Sequence, residues 1–219
     1  MLDYEIHHTG SSGNTNIIYG GGYKFLVDIG KPFKYVEKLG LSDVDVMLIT
    51  HKHSDHINMA TYKHIMRDFP NITVITNKEV AKFINDKGCD VAPDIIIESG
   101  LAVDIDNVRI NFIENLHGVD TQGYIFEDAK ELLLYATDLS TTAFYEDWLQ
   151  KENRKLNYCL LENNYDITKL MELEKAHTGY NIFEAQGRHL EKTDYFKFIH
   201  KYSAPHCKHE QLHQSSTMY

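Results

Sequence analysis

Short apolar runs, bounded by glycines or polar clusters, recur along the chain, and amphipathic stretches of helical period lie between them. The alternating residues 2–8 predict a first strand. Residues 16–19 and 23–27 flank Gly20-Gly21-Gly22 and predict a hairpin. Pro32 opens a short helix expected to run to about Leu39, with Gly40 placed to end it. The run Val44-Asp45-Val46-Met47-Leu48-Ile49 reads as a buried strand. Helices are expected over 59–68 and 78–86, separated by a strand at 72–76. Short strands follow at 95–97, 101–105 and 108–113, then a second hairpin of 124–126 and 132–135. A helix over 144–151, a buried strand at 158–161, and helices over 167–176 and 193–202 complete the pattern. No repeat of fixed period or linker divides it, so one domain over residues 1–219 is expected. Two blocks of strands, each alternating with helices, imply a pair of packed sheets with helices outside.

Polar and ligating residues gather just past the apolar runs. Asp28 follows the first hairpin, and Thr50-His51-Lys52-His53-Ser54-Asp55-His56 follows Ile49. His117, Asp138 and Glu162 each stand after a later strand. Such residues at one end of a sheet build a shared cleft. Imidazole nitrogen and carboxylate oxygen are the usual non-thiolate ligands of Zn²⁺ and related ions. His51 and His53, two apart in extended chain, point to the same side, and Asp55 and His56 lie beyond the turn, able to face a second ion. A two-metal centre needs ligands from separated strands and a carboxylate able to bridge. His51, His53 and His117 can serve one ion, and Asp55, His56 and a late histidine the other, with Asp138 between. His200, His206, His209 and His213 crowd the end of the chain; spacing to Ser215 and Tyr219 favours His213, with His209 next. His7, His8, His64 and His177 are assigned to structure or surface.

Composition narrows the setting. Apolar residues at 42% and charged residues at 25% are ordinary for a globular protein. No run approaches the ~20 apolar residues that span a membrane, and the first residues lack the basic and apolar regions of a signal peptide. Cys89, Cys159 and Cys207 are odd in number and unpaired in spacing, which points to free thiols in a reducing, cytoplasmic setting. The net charge of −10 argues against an extended grip on duplex nucleic acid.

Taken together, the motifs resemble the metallo-β-lactamase-fold hydrolase superfamily, and within it the YycJ-like and RNase Z-like branch. The resemblance rests on Gly10-Ser11-Ser12-Gly13-Asn14, Val27-Asp28-Ile29-Gly30, the His51–His56 motif, His117, Thr137-Asp138, Arg188-His189-Leu190 and Leu212-His213-Gln214-Ser215. It implies a four-layer αββα sandwich of α/β class. It also implies that Asp28 orients a metal-binding histidine, that Asp138 bridges two ions with a water or hydroxide, and that His189 protonates the leaving oxygen. Asp55, Asp138 and His189 are then the catalytic candidates, and Asn164 and Ser215 the candidate substrate contacts. The family's Gly and Ser beside that histidine are Arg188 and Glu191 here. The cofactors expected are two divalent ions, Zn²⁺ first, with Mn²⁺ the alternative for a centre without thiolate.

The function so implied is a binuclear metal-dependent phosphodiesterase acting on nucleic-acid ends or cyclic nucleotides, as small members of the fold do. A larger RNA-processing architecture with a β-CASP-like insertion does not fit 219 residues. Thioester or lactone hydrolysis on the same fold, and a non-catalytic metal-stabilised binding protein, stand as alternatives. No membrane partner is expected; a homodimer is, on resemblance alone.

Overall fold

The computed structural model describes residues 1–176 and 182–215. Its first sheet is built from β1 (Asp3–His8), β2 (Thr15–Gly20), β3 (Tyr23–Val27), β4 (Val46–Ile49), β5 (Thr73–Thr76) and β6 (Ile95–Ile96), neighbours in that order. β1 to β3 pair antiparallel, and β3 to β6 pair parallel. The second sheet holds β7 (Ala102–Ile105), β8 (Val108–Asn115), β9 (Thr121–Glu127), β10 (Leu132–Ala136), β11 (Leu156–Glu162) and β12 (Ser203–Leu212). There β7 to β10 are antiparallel, and β10, β11 and β12 run parallel.

Among the described residues, seven α-helices accompany the sheets: α1 (Phe33–Val36), α2 (Met59–Asp68), α3 (Lys78–Asp86), α4 (Ala143–Glu152), α5 (Ile167–Lys175), α6 (Ile182–Arg188) and α7 (Lys192–Tyr202). Asn58 and Asn77 cap α2 and α3 by accepting the Thr61 and Val80 N–H groups. The helix expected from Pro32 tightens into a 3₁₀ turn at Glu37–Leu39 and ends on Gly40, whose φ of 69° is left-handed.

Burial defines the layers. Phe25, Val27 and Leu48 of the first sheet pack with Phe112, Tyr124, Phe126 and Leu160 of the second in one core between the sheets. Met47, Ile49 and Val74 turn the other way, against Tyr62 and Ile65 of α2 and Val80 and Ile84 of α3. Leu134 and Leu161 face Tyr145 and Leu149 of α4 and Tyr195 and Phe198 of α7. The order is helix, sheet, sheet, helix: the four-layer sandwich expected from the sequence.

Two elements differ from the sequence reading. Residues 203–212, to which the sequence assigned no element, form β12 at the edge of the second sheet, and residues 182–188 form α6. β12 buries only Leu212 and contains Pro205, so it carries no apolar alternation to reveal it. No helix among the described residues is long and apolar enough to cross a membrane.

Candidate metal centre

Strands of both sheets deliver their carboxyl ends to one place. β3 leads into Asp28, β4 into Thr50 and His51, β8 towards His117, β10 towards Asp138, β11 ends on Glu162, and β12 leads into His213. Asp28, Asp138 and His213 all have left-handed backbones, with φ of 61°, 58° and 50°. Non-glycine residues held there mark sites that the surrounding structure over-determines.

Ligand atoms fall into overlapping groups, each with its atoms within 4.8 Å of one another. His51, His53 and His117 form one, and Asp55, His56 and His213 another. Asp138 lies between them: its Oδ1 is 3.4 Å from His117 Nε2, and its Oδ2 is 2.9 Å from His56 Nε2 and 3.7 Å from His213 Nε2. Asp138 Oδ2 and His213 Nε2 are buried with no hydrogen-bond partner, although His56 Nε2 approaches the former closely. Two orphaned ligand atoms turned towards each other's group are what a divalent ion would satisfy. The donor set fits the ions that the sequence implied.

Supporting contacts fix which nitrogen each ring presents. His56 Nδ1 bonds Asp28 Oδ2 at 2.7 Å, leaving Nε2 for the centre. His117 Nδ1 bonds the Arg188 carbonyl at 2.9 Å, with the same result. Asn14, in the loop before β2, accepts the Gly10 N–H and brings its Nδ2 to 2.9 Å from His56 Nε2. His213 donates its backbone N–H to Thr9 Oγ1 at 2.7 Å. His209, by contrast, is exposed on β12, as are His200 on α7 and His206 on β12. The late histidine that reaches the cluster is therefore His213. His177 and Tyr219 lie outside the described residues.

Glu162 does more here than its place at a strand end signalled. It is fully buried and accepts the N–H groups of Leu139 and Leu190 through Oε2. Its Oε1 meets His189 Nδ1 at 2.7 Å, His213 Nδ1 at 3.3 Å and Asn164 Nδ2 at 3.2 Å. Asn164 also donates to the His213 carbonyl at 2.7 Å, so its amino group supports the cluster while its Oδ1 has no partner. Ser215 is tied in through its N–H to the Asn164 carbonyl.

The electrostatics divide the cluster. Burial lowers the pKa values of His51, His53 and His117, keeping those rings neutral and ready to ligate. Burial opposes protonation of His56 too, but the carboxylates of Asp28 and Asp138 outweigh it and hold the ring up to about 10. His213 is likewise raised against burial, by Asp138, Asp55 and Glu162. Asp138, despite burial, is held well below the usual carboxylate range by His213 and His56. Protons on the second group thus balance the carboxylates that a cation would otherwise neutralise.

Residues 27–191 match the β-lactamase superfamily domain. The chain belongs to that superfamily. Exodeoxyribonuclease WalJ of Streptococcus pneumoniae is 29% identical over 175 residues, covering 75% of this chain and 63% of WalJ. Ribonuclease Z of Sulfurisphaera tokodaii is 25% identical over 174 residues, 72% of this chain and 59% of that protein. The chain spans about three fifths of the length of these curated relatives. The metallo-β-lactamase fold protein YhfI from Bacillus subtilis superposes with a TM-score of 0.73 at 14% identity, over 98% of this chain and 86% of that one. The superfamily and the fold are those the sequence motifs pointed to, and the two relatives stand for the expected branch.

Proposed function

We propose that this chain is a binuclear metal-dependent phosphodiesterase of nuclease type, acting on nucleic-acid ends and using Zn²⁺, in a reducing cytoplasmic setting. The observation that carries the reading is the placement of Asp138, with one oxygen towards His117 and the other towards His56 and His213. That is the disposition of a carboxylate shared by two ion sites. His51, His53 and His117 would hold one ion and Asp55, His56 and His213 the other. When bound, the ions would make water a nucleophile at neutral pH and neutralise charge on phosphoryl oxygens.

The remaining work falls to the chain's own groups. Asp28 orients His56, and Glu162 orients His189 through Nδ1. Burial lowers the basicity of His189, but Glu162 overrides this and raises its pKa. The ring therefore holds its proton to higher pH than a free imidazole does, and Nε2 is the nitrogen left to deliver it to a departing oxygen. A catalytic acid held by a buried carboxylate suits an alkoxide leaving group. WalJ and ribonuclease Z, by their names, act on DNA and RNA, which supports a nucleic-acid substrate here. The unpaired thiols of Cys89, Cys159 and Cys207 support the compartment.

The test is hydrolysis of bis-p-nitrophenyl phosphate and of end-labelled DNA and RNA, with Zn²⁺, Mn²⁺ or EDTA. Metal-dependent turnover that disappears in Asp138→Ala is the expected result. A chain that binds two ions yet turns over no phosphodiester would overturn the reading and favour thioester chemistry.

A further inference from the structure

The loop of residues 9–14 has two faces. Its inner face adjoins the metal centre: Thr9 holds His213, and Asn14 donates its N–H to the Asp55 carbonyl at 2.6 Å. Its outer face carries Lys31, whose ammonium donates to the Ser12 carbonyl at 2.9 Å and whose stem packs on Gly13, where a Cβ would collide with Lys31 Cδ. Gly13 has a φ of 123°, so the close approach depends on glycine.

Beside Lys31 stands Tyr35 of α1, 40% exposed. The Lys31 and Lys34 ammonium groups lie 5.9 and 5.0 Å from its ring centroid, and His8 meets the ring edge-on at 6.0 Å. Neither lysine has a carboxylate partner among the described residues. Glu5, on β1, is engaged instead by His7 and Tyr19. In a chain of net charge −10, two cations without carboxylates around an exposed aromatic ring stand out. They lie one loop away from the ligands Asp55 and His213.

We propose that the Tyr35 face is a platform for single-stranded nucleic acid leading to the metal centre. A base stacks on Tyr35, and backbone phosphates meet Lys31 and Lys34. Stacking on an aromatic ring beside cations is indifferent to sequence, because every base has a π-face and every nucleotide a phosphate. The inference rests on the phosphodiesterase reading and narrows its substrate to a strand.

Two readouts separate the claims. The first is fluorescence anisotropy of the metal-loaded chain with a labelled, hydrolysis-resistant phosphorothioate oligonucleotide of about twelve nucleotides. Tyr35→Ala should weaken binding about tenfold, and Tyr35→Phe should restore it. Lys31→Ala with Lys34→Ala should reduce the slope of log Kd against log salt by about 0.7 per lysine. Unchanged affinity in these variants, or loss in Tyr35→Phe equal to that in Tyr35→Ala, overturns the platform. The second readout is turnover of bis-p-nitrophenyl phosphate. Turnover with unaltered strand binding in every variant keeps the phosphodiesterase and removes the platform. Tyr35-dependent strand binding without turnover keeps the platform and removes the phosphodiesterase.

Discussion

Asp28 Oδ2 accepts the Nδ1 proton of His56 at 2.7 Å, across two side chains that are both fully buried. Thr50 donates its N–H and its hydroxyl to the same carboxylate at 2.9 and 3.0 Å, so the end of β3 and the loop after β4 are locked together. The left-handed backbone of Asp28 aims the carboxylate at this point. Asp28→Asn tolerates that backbone and preserves shape, but removes the charge that fixes the ring. Metal affinity at the Asp55–His56–His213 group should fall about 10- to 100-fold, with the His51–His53–His117 group little affected. Calorimetric titration with Zn²⁺ would then resolve one tight and one weakened site. Two sites of wild-type affinity would disconnect Asp28 from the centre.

Asp138 belongs to both groups, and its removal should be felt by both. Asp138→Ala is expected to lower bound metal from about two ions per chain to one or fewer. Phosphodiester turnover should drop by several kcal/mol of barrier, about 10³-fold. Elemental analysis of the dialysed variant beside its kinetics checks both. Full occupancy with full turnover would remove Asp138 from the centre.

Much of this arrangement is legible in the amino-acid sequence, for identifiable reasons. The apolar runs at Val46-Met47-Leu48-Ile49 and Leu132-Leu133-Leu134-Tyr135 are fully buried, so hydrophobic pattern alone locates those strands. The His51–His56 motif is contiguous, and short-range spacing is what a sequence displays best. β12 is hidden because an edge strand open to solvent has little need of apolar residues, and its histidines read as candidate ligands rather than as a strand. Asn14 and Glu162 are harder to weigh for another reason. Their importance lies in partners 42 and 27 residues away, His56 and His189, and no local pattern announces such a pairing.

Glu162 and His189 offer a prediction in pH. His189→Ala should lower kcat about 10²- to 10⁴-fold while leaving bound metal unchanged. In the wild type the acid is active while protonated, so activity falls as pH rises through its pKa. Burial alone would lower that pKa, and Glu162 raises it. Glu162→Gln therefore moves the falling limb of the kcat–pH profile to lower pH. A profile that stays in place, or moves to higher pH, would remove His189 from the acid role.

Gly30 joins the two loops that frame the centre. Its N–H donates to the Asn14 carbonyl at 2.9 Å, and a Cβ placed there would overlap the Asp55 carbonyl and crowd the Asn14 nitrogen. These are backbone atoms, which cannot rotate aside as a flexible side chain would. Gly30→Ala must therefore push the metal loop away from the 9–14 loop, and overpacking of this kind costs about 1–3 kcal/mol. At about 2–4 °C per kcal/mol for a chain of this size, a lower Tm should be plain in a thermal scan. Because Asp55 itself is displaced, metal affinity at the second group should fall with it. Gly187→Ala, on α6, is the control: among the described residues no atom beyond its chain neighbours and the helix's own backbone lies within 4 Å of the added Cβ, and alanine favours a helix, so Tm should hold or rise. If Gly30→Ala behaved like Gly187→Ala, the two loops would have slack between them, and close contact at Gly30 could not be what sets the position of Asp55.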